Sequence, residues 1–242
     1  MNLVNLGAGS LAAVGLAISL ALGAARPSPP PVAASGDEVP LDVARIYFEY
    51  NASADDLGVH VFLDGEDWRR LRIQKPNGRV IFEVEGKGPY RDLGLTELFF
   101  EGAEPSLEDF PLEKLLALFP EGQYEFDGRT VDGADVEGIG TFSHAIPDGP
   151  AVSALLGPGN SLVVRWDPVT APPPGFPAKP ITIAGYQVIV GTFQVTVPAT
   201  TRMVTVSPEF VASLASGEQP YEVLAIEASG NQTLTEGTFI KP

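Results

Sequence analysis

Cysteine is absent from the 242-residue chain, which removes disulfides, thiolate metal sites and cysteine nucleophiles. Histidine is scarce. The two present, His60 and His144, both sit in strand-like alternation and read as packed or rim residues. Neither belongs to a His-Glu-x-x-His pattern, and the chain contains no Gly-x-Ser-x-Gly elbow, P-loop or Gly-x-Gly-x-x-Gly. Positive charge is also short, with 15 Lys and Arg against 31 Asp and Glu and a net charge of −16. A nucleic-acid partner is therefore not expected, because neutralising phosphates needs clustered Lys and Arg. With 31 carboxylates, chance pairs abound, and no pair can be chosen from sequence as a glycosidase acid and base. The chain reads as non-catalytic.

What is present is proline and glycine, 23 and 26 residues, about a fifth of the chain and without a repeating period. Together with 44% hydrophobic residues, this composition suits many short strands joined by tight turns around packed cores. The acidity is uneven. Residues 35–148 hold 25 acidic and 10 basic side chains, and residues 149–242 hold 6 and 4.

No charged side chain precedes Arg26, and Leu11 to Ala25 is an unbroken small-apolar run. Residues 1–25 read as a secretory signal peptide, with cleavage points after Ala24, Ala25 or Ala34. The uncharged run is also long enough to span a bilayer, so an uncleaved anchor is the alternative. Residues 26–40 are Pro-rich and read as an extended linker. The expected location is secreted or periplasmic, or membrane-anchored if the first segment is retained.

Residues 41–148 read as an acidic β-sandwich. Ile46, Phe48 and Tyr50 alternate on one side of a strand, as do Val59, Val61 and Leu63 on the next. Lys75 to Gly78 and Asp132-Gly133 mark hairpin turns. One helical insertion is predicted in "SLEDFPLEKLLALFP", capped by Asp109, with Leu112, Leu115, Leu116 and Phe119 as its apolar stripe. Asp55 and Asp56 are read in one turn, and Asp64, Glu66 and Asp67 in the next. Asp55, Asp56, Asp64 and Asp67 are the candidate calcium ligands. The strand between the turns would hold them about 20 Å apart, and the spacing of an EF-hand loop is missing.

Residues 149–242 carry seven strand signals at regular spacing, with Trp166 in the second. This is the pattern of an immunoglobulin-like sandwich. "LVVRWDPV", "IAGYQVIV" and "VLAIEASG" together resemble a fibronectin type III domain over about 90 residues. The family pattern places a tyrosine four residues before Val223, where this chain has Gln219; its tyrosine is Tyr221, of the same strand parity. The chain lacks the family's Arg-Gly-Asp tripeptide, so the resemblance implies no integrin-type role.

The expected fold is thus all-β, two β-sandwich domains, the second of fibronectin type III kind. The resemblance implies a binding or adhesion-type protein with a protein or polysaccharide partner at the cell exterior. The alternative is a calcium-dependent glycan-binding or accessory module of an extracellular carbohydrate-active system. No other cofactor is expected. Ser229, Asn231 and Gln232, in the last interstrand turn, are the candidate binding residues, and Asn231 begins an Asn-x-Thr sequon. Intact-mass measurement of the exported protein is expected to show loss of the first 24, 25 or 34 residues; the full mass would mean that the apolar segment stays as an anchor.

Overall fold

A computed structural model describes residues 38–242. The signal or anchor segment and most of the proline-rich linker lie outside the described residues. The chain forms β1 (Glu38–Pro40), β2 (Val43–Asn51), β3 (Asp56–Gln74), β4 (Val80–Glu85), α1 (Pro89–Leu93), β5 (Leu95–Glu101), α2 (Leu112–Leu118), β6 (Gly122–Thr130) and β7 (Asp135–Phe142). After these come β8 (Val152–Leu156), β9 (Leu162–Trp166), β10 (Ile183–Val190), β11 (Phe193–Pro198), β12 (Met203–Val206), α3 (Pro208–Ser213), β13 (Gly217–Glu227) and β14 (Gln232–Lys241). The last three residues of the expected linker are therefore strand, paired in parallel with Asp135–Glu137 of β7. Among the described residues, no helix is long and apolar enough to cross a membrane.

The first sandwich is organised by β3, a 19-residue strand that belongs to both of its layers. The first half of β3 pairs with β2 and β5, and its second half pairs with β4 and β6. Alternation sends Ile46, Phe48, Tyr50, Leu57, Val59, Val61 and Leu63 into a core shared with Trp68, Leu71, Ile73, Tyr124, Phe126 and Phe142. Both hairpin turns form as expected, with Lys75 N–H donating to Arg79 O and Thr130 N–H to Ala134 O.

The predicted acidic turn at Asp64–Asp67 does not form, because β3 runs straight through it. Asp64 is paired on both sides, to Val43 and to Glu97, and a register shift between Asp64 and Trp68 lets the strand bend rather than reverse. The predicted helix is present as α2, with Leu115 buried, but its N-cap is Pro111 without a side-chain bond. Asp109 instead exchanges bonds with Ser106, one turn earlier. Two short helices, α1 and α3, add to the single insertion expected; α3 begins at Ser207, whose side chain accepts from Phe210 N–H.

In the second sandwich, a three-stranded sheet in the order β12-β9-β8 faces four strands in the order β14-β13-β10-β11. The fourth strand of the module, β11, stands beside β10 in the larger sheet, so the module is a seven-stranded immunoglobulin-like sandwich of three strands against four. Trp166 packs on Tyr186 with ring centroids 5.4 Å apart, inside a core with Leu162, Val164, Val188 and Val223. The Tyr221 ring lies over Gly237, where an added Cβ would come within 2.4 Å of it. The tyrosine hydroxyl that pins backbone here belongs to Tyr186, which accepts from Val169 N–H at 2.9 Å.

The two sandwiches share one sheet. Residues Gln232–Leu234 of β14 pair in parallel with Glu49–Asn51 of β2, joining nine strands end to end along an 11-stranded sheet. Asn231 locks this seam. Its Oδ1 accepts from Phe48 N–H at 2.8 Å, and its Nδ2 donates to Ser143 O at 2.8 Å and Ala145 O at 3.1 Å. Thr233 Oγ1 adds a bond to Pro147 O, and Phe176 packs on Tyr50 with centroids 4.9 Å apart. At 1% exposure, with both polar atoms engaged, Asn231 cannot accept a glycan in the folded state. Asn231→Ala would leave a buried amide and two carbonyls short of partners, each worth about 1–3 kcal/mol. The variant is expected to lose about 3 kcal/mol of stability, read as a lower urea midpoint.

Candidate functional site

On the outer face of the first sandwich, three titratable side chains converge. Antiparallel pairing of β2 with β3 sets Glu49 opposite Gly58 and Tyr47 opposite His60, so these residues share one face of the sheet. On the other side of β3, Glu101 stands opposite His60. Beyond Glu101 the chain keeps following β3: Gly102 N–H donates to Val59 O, Leu57 N–H to Pro105 O and Leu107 N–H to Asp55 O. These bonds lay Glu104 across Gly58.

The glycine makes that crossing possible. An added Cβ at Gly58 would stand 2.4 Å from Glu104 Cγ and 2.7 Å from its Oε1. Through this gap Glu104 Oε1 comes 3.1 Å from His60 Nε2, while His60 Nδ1 lies 3.9 Å from Glu49 Oε2. One ligand atom from each of Glu49, His60 and Glu104 lies within 4.8 Å of the others, so these three residues could hold a metal ion. Gln232 Nε2 donates to Glu49 Oε2 from across the seam. Tyr47 and Phe99 flank the imidazole, with centroids 5.3 and 6.0 Å from it.

His60 is 4% exposed, and its surroundings carry more negative than positive charge. Burial pushes the Glu49 carboxyl up to about 7, against the pull of His60. Burial alone would lower the His60 imidazole, but the bond to Glu104 and the field of Glu49 outweigh it and raise it above its usual value. Asp56, beside the cluster, is raised to about 6 by burial and by Glu104.

The four aspartates singled out as calcium ligands are not brought together. Asp55, at a positive φ of 56°, accepts from the Tyr50 hydroxyl at 2.8 Å, and Asp56 opens β3. Asp64 lies eight residues further along the same strand, about 26 Å at 3.3 Å per residue, and Asp67 lies beyond it. In the last interstrand turn, Ser229 is exposed, whereas Asn231 and Gln232 are buried in the seam. Ser229 N–H donates to the buried Glu227 carboxylate at 2.6 Å, and Ser229 lines a depression of about 250 Å³ with Arg45, Tyr47 and Thr141. A second depression, of about 330 Å³, lies over the Asp132–Asp135 hairpin, and neither is lined by Glu49, His60 or Glu104. His144 is tied down by Phe119 O and by Glu121.

No local sequence signal marks Glu49 or Glu104. Glu49 follows the pattern of a solvated outward residue between Phe48 and Tyr50, and Glu104 reaches the site only through the path of its loop.

No family model matches the sequence, and no curated protein matches it. Among solved structures, the chain is similar to a two-domain fibronectin type III segment from chicken tenascin, at 15% identity and a TM-score of 0.26, covering 83% of this chain and 99% of that one. It is similar to the fibronectin(III)-like modules of Clostridium thermocellum CbhA at 10% identity and a TM-score of 0.28, covering 82% and 92%. It also resembles the spore cortex lytic enzyme SleM of Clostridium perfringens at 17% identity and a TM-score of 0.32. That match covers 39% of this chain, which spans 28% of the enzyme's length. At these values the fold assignment rests on the strand order itself.

The cluster makes stability pH-dependent. Glu49, Asp56 and His60 all bind protons more tightly folded than unfolded, so their contribution is complete below the unfolded values, near 4 for the acids and 6.5 for His60. It fades as pH rises through about 6 for Asp56, about 7 for Glu49 and the raised value of His60. Each proton released adds a slope of at most about 1.4 kcal/mol per pH unit. Urea midpoints in EDTA are expected to fall between pH 5 and 8, and Glu49→Gln is expected to flatten that fall; an unchanged slope would contradict the assignment.

Proposed function

We propose that this chain is an exported, non-catalytic binding or adhesion-type protein, in which a fibronectin type III-like module and an acidic sandwich act as one rigid unit. The β2–β14 pairing, locked by Asn231, carries this reading. A seam of backbone hydrogen bonds fixes the loops at both ends of the two sandwiches relative to one another, so a partner can be met by both modules without the entropic cost of ordering a linker. Loops at sandwich ends are where such folds carry recognition. The partner class is a protein or polysaccharide at the cell exterior, and the acidity of the first sandwich disfavours anionic polymers.

Against catalysis stands the occupation of His60, whose two ring nitrogens both face carboxylates while the side chain is closed off from solvent. The labelled full chain is expected to bind intact cells or one class on a glycan array saturably, and to leave the bound glycan unchanged in mass. Silence on cells and across the array would sink the binding reading, and a cleaved glycan would sink the non-catalytic one.

A further inference from the structure

We propose that Glu49, His60 and Glu104 form a binding site for one divalent transition-metal ion of zinc character, bracing the seam between the two sandwiches. The donors are one imidazole nitrogen and two carboxylate oxygens, already within 4.8 Å of one another. Around a zinc ion with bonds of about 2.0–2.2 Å, tetrahedral donors stand roughly 3.5 Å apart. No pair therefore needs to close by more than about 1.3 Å.

Four features distinguish this group from a surface acidic cluster. The imidazole is 4% exposed and packed between Tyr47 and Phe99, which fixes its ring plane. Gly58 leaves open the volume that the Glu104 side chain crosses. Gln232 donates to Glu49 Oε2, the same oxygen that faces His60, and a hydrogen bond of this kind orients a ligating carboxylate. Finally, acidic groups are in excess: two half-buried carboxylates face one buried imidazole, and the half-buried Asp56 and the exposed Glu101 add negative field. A divalent cation offsets that excess.

The donor set selects the ion. Calcium takes six to eight oxygens, whereas an imidazole with two carboxylates suits zinc and its neighbours. Three protein donors leave a position for water. The ligands come from β2, β3 and the loop after β5, and Gln232 ties Glu49 to β14, so the ion stiffens the point where the two sandwiches meet.

This assignment stands independently of the binding role above. Full-length protein stripped with EDTA and titrated with zinc chloride at pH 7.5 is expected to take up one ion per chain by calorimetry, with a rise in Tm. Calcium chloride at the same concentration is expected to do neither. Gly58→Ala is expected to cost at least tenfold in zinc affinity while keeping the native circular dichroism, because the clashing atoms belong to the movable Glu104 side chain. Glu104→Gln serves as a second folded variant with the same expected loss. X-ray absorption at the zinc edge is expected to show a first shell of nitrogen and oxygen with one imidazole. No stoichiometric uptake by the wild type, preference for calcium, or unchanged zinc affinity in both folded variants would each overturn the assignment.

Discussion

The union of the two sandwiches depends on one parallel contact three residues long, Gln232–Leu234 against Glu49–Asn51. Without it, β14 would be the open edge of an ordinary immunoglobulin-like sandwich, and β2 the open edge of another. Exposed edges present unpaired backbone groups that recruit foreign strands. Here each edge satisfies the other. The register is held by side chains that bond across the seam: Asn231 to Phe48, Ser143 and Ala145, Gln232 to Glu49, and Thr233 to Pro147. A slip of one residue would turn Asn231 and Thr233 to the opposite face and abandon these bonds.

This contact and the loop after β5 together explain why the outer face of the first sandwich is buried where its pattern suggests solvent. In an isolated antiparallel layer, Tyr47, Glu49 and His60 would point outward and be wet. The turn before β14 and the loop after β5 close over them from either side, leaving Tyr47 at 5% and His60 at 4% exposure. Ionisable groups placed on a wet face thereby come under desolvation, which is what lifts Glu49 and Asp56 away from ordinary carboxylate behaviour.

How much of this was legible in the sequence depended on range. Alternation reports which side of a strand is apolar, so Ile46, Phe48, Tyr50, Val59, Val61 and Leu63 were placed correctly in the core, and the Lys75–Gly78 and Asp132-Gly133 turns announced their hairpins through local chemistry. The Asp64–Asp67 segment misled because its composition is that of a turn, while its backbone has partners on both sides. Strand β5, "LTELFFE", gives no period-two signal, because Leu98, Phe99 and Phe100 are consecutive apolar residues. Nothing local distinguishes Glu49 from a solvated glutamate, or Asn231 from a turn asparagine open to recognition. Both are defined by residues far away in the chain, 183 positions apart in the bond from Phe48 to Asn231. Gly58 was the one available hint, a glycine inside an otherwise strongly patterned strand, which marks close approach by something else.

The seam also dictates an order of events at synthesis. Chains of two modules ordinarily finish the first before the second emerges. Among the described residues, β2, near their start, must wait for β14, the last of their fourteen strands, so the earlier module is completed by the later one. During that interval the edge of β2 stands open, with Phe48 N–H and Glu49 unsatisfied, and long-range pairings of this kind are slow to close. A polypeptide that ended between β7 and Asn231 would therefore leave the edge of β2 in its first module open.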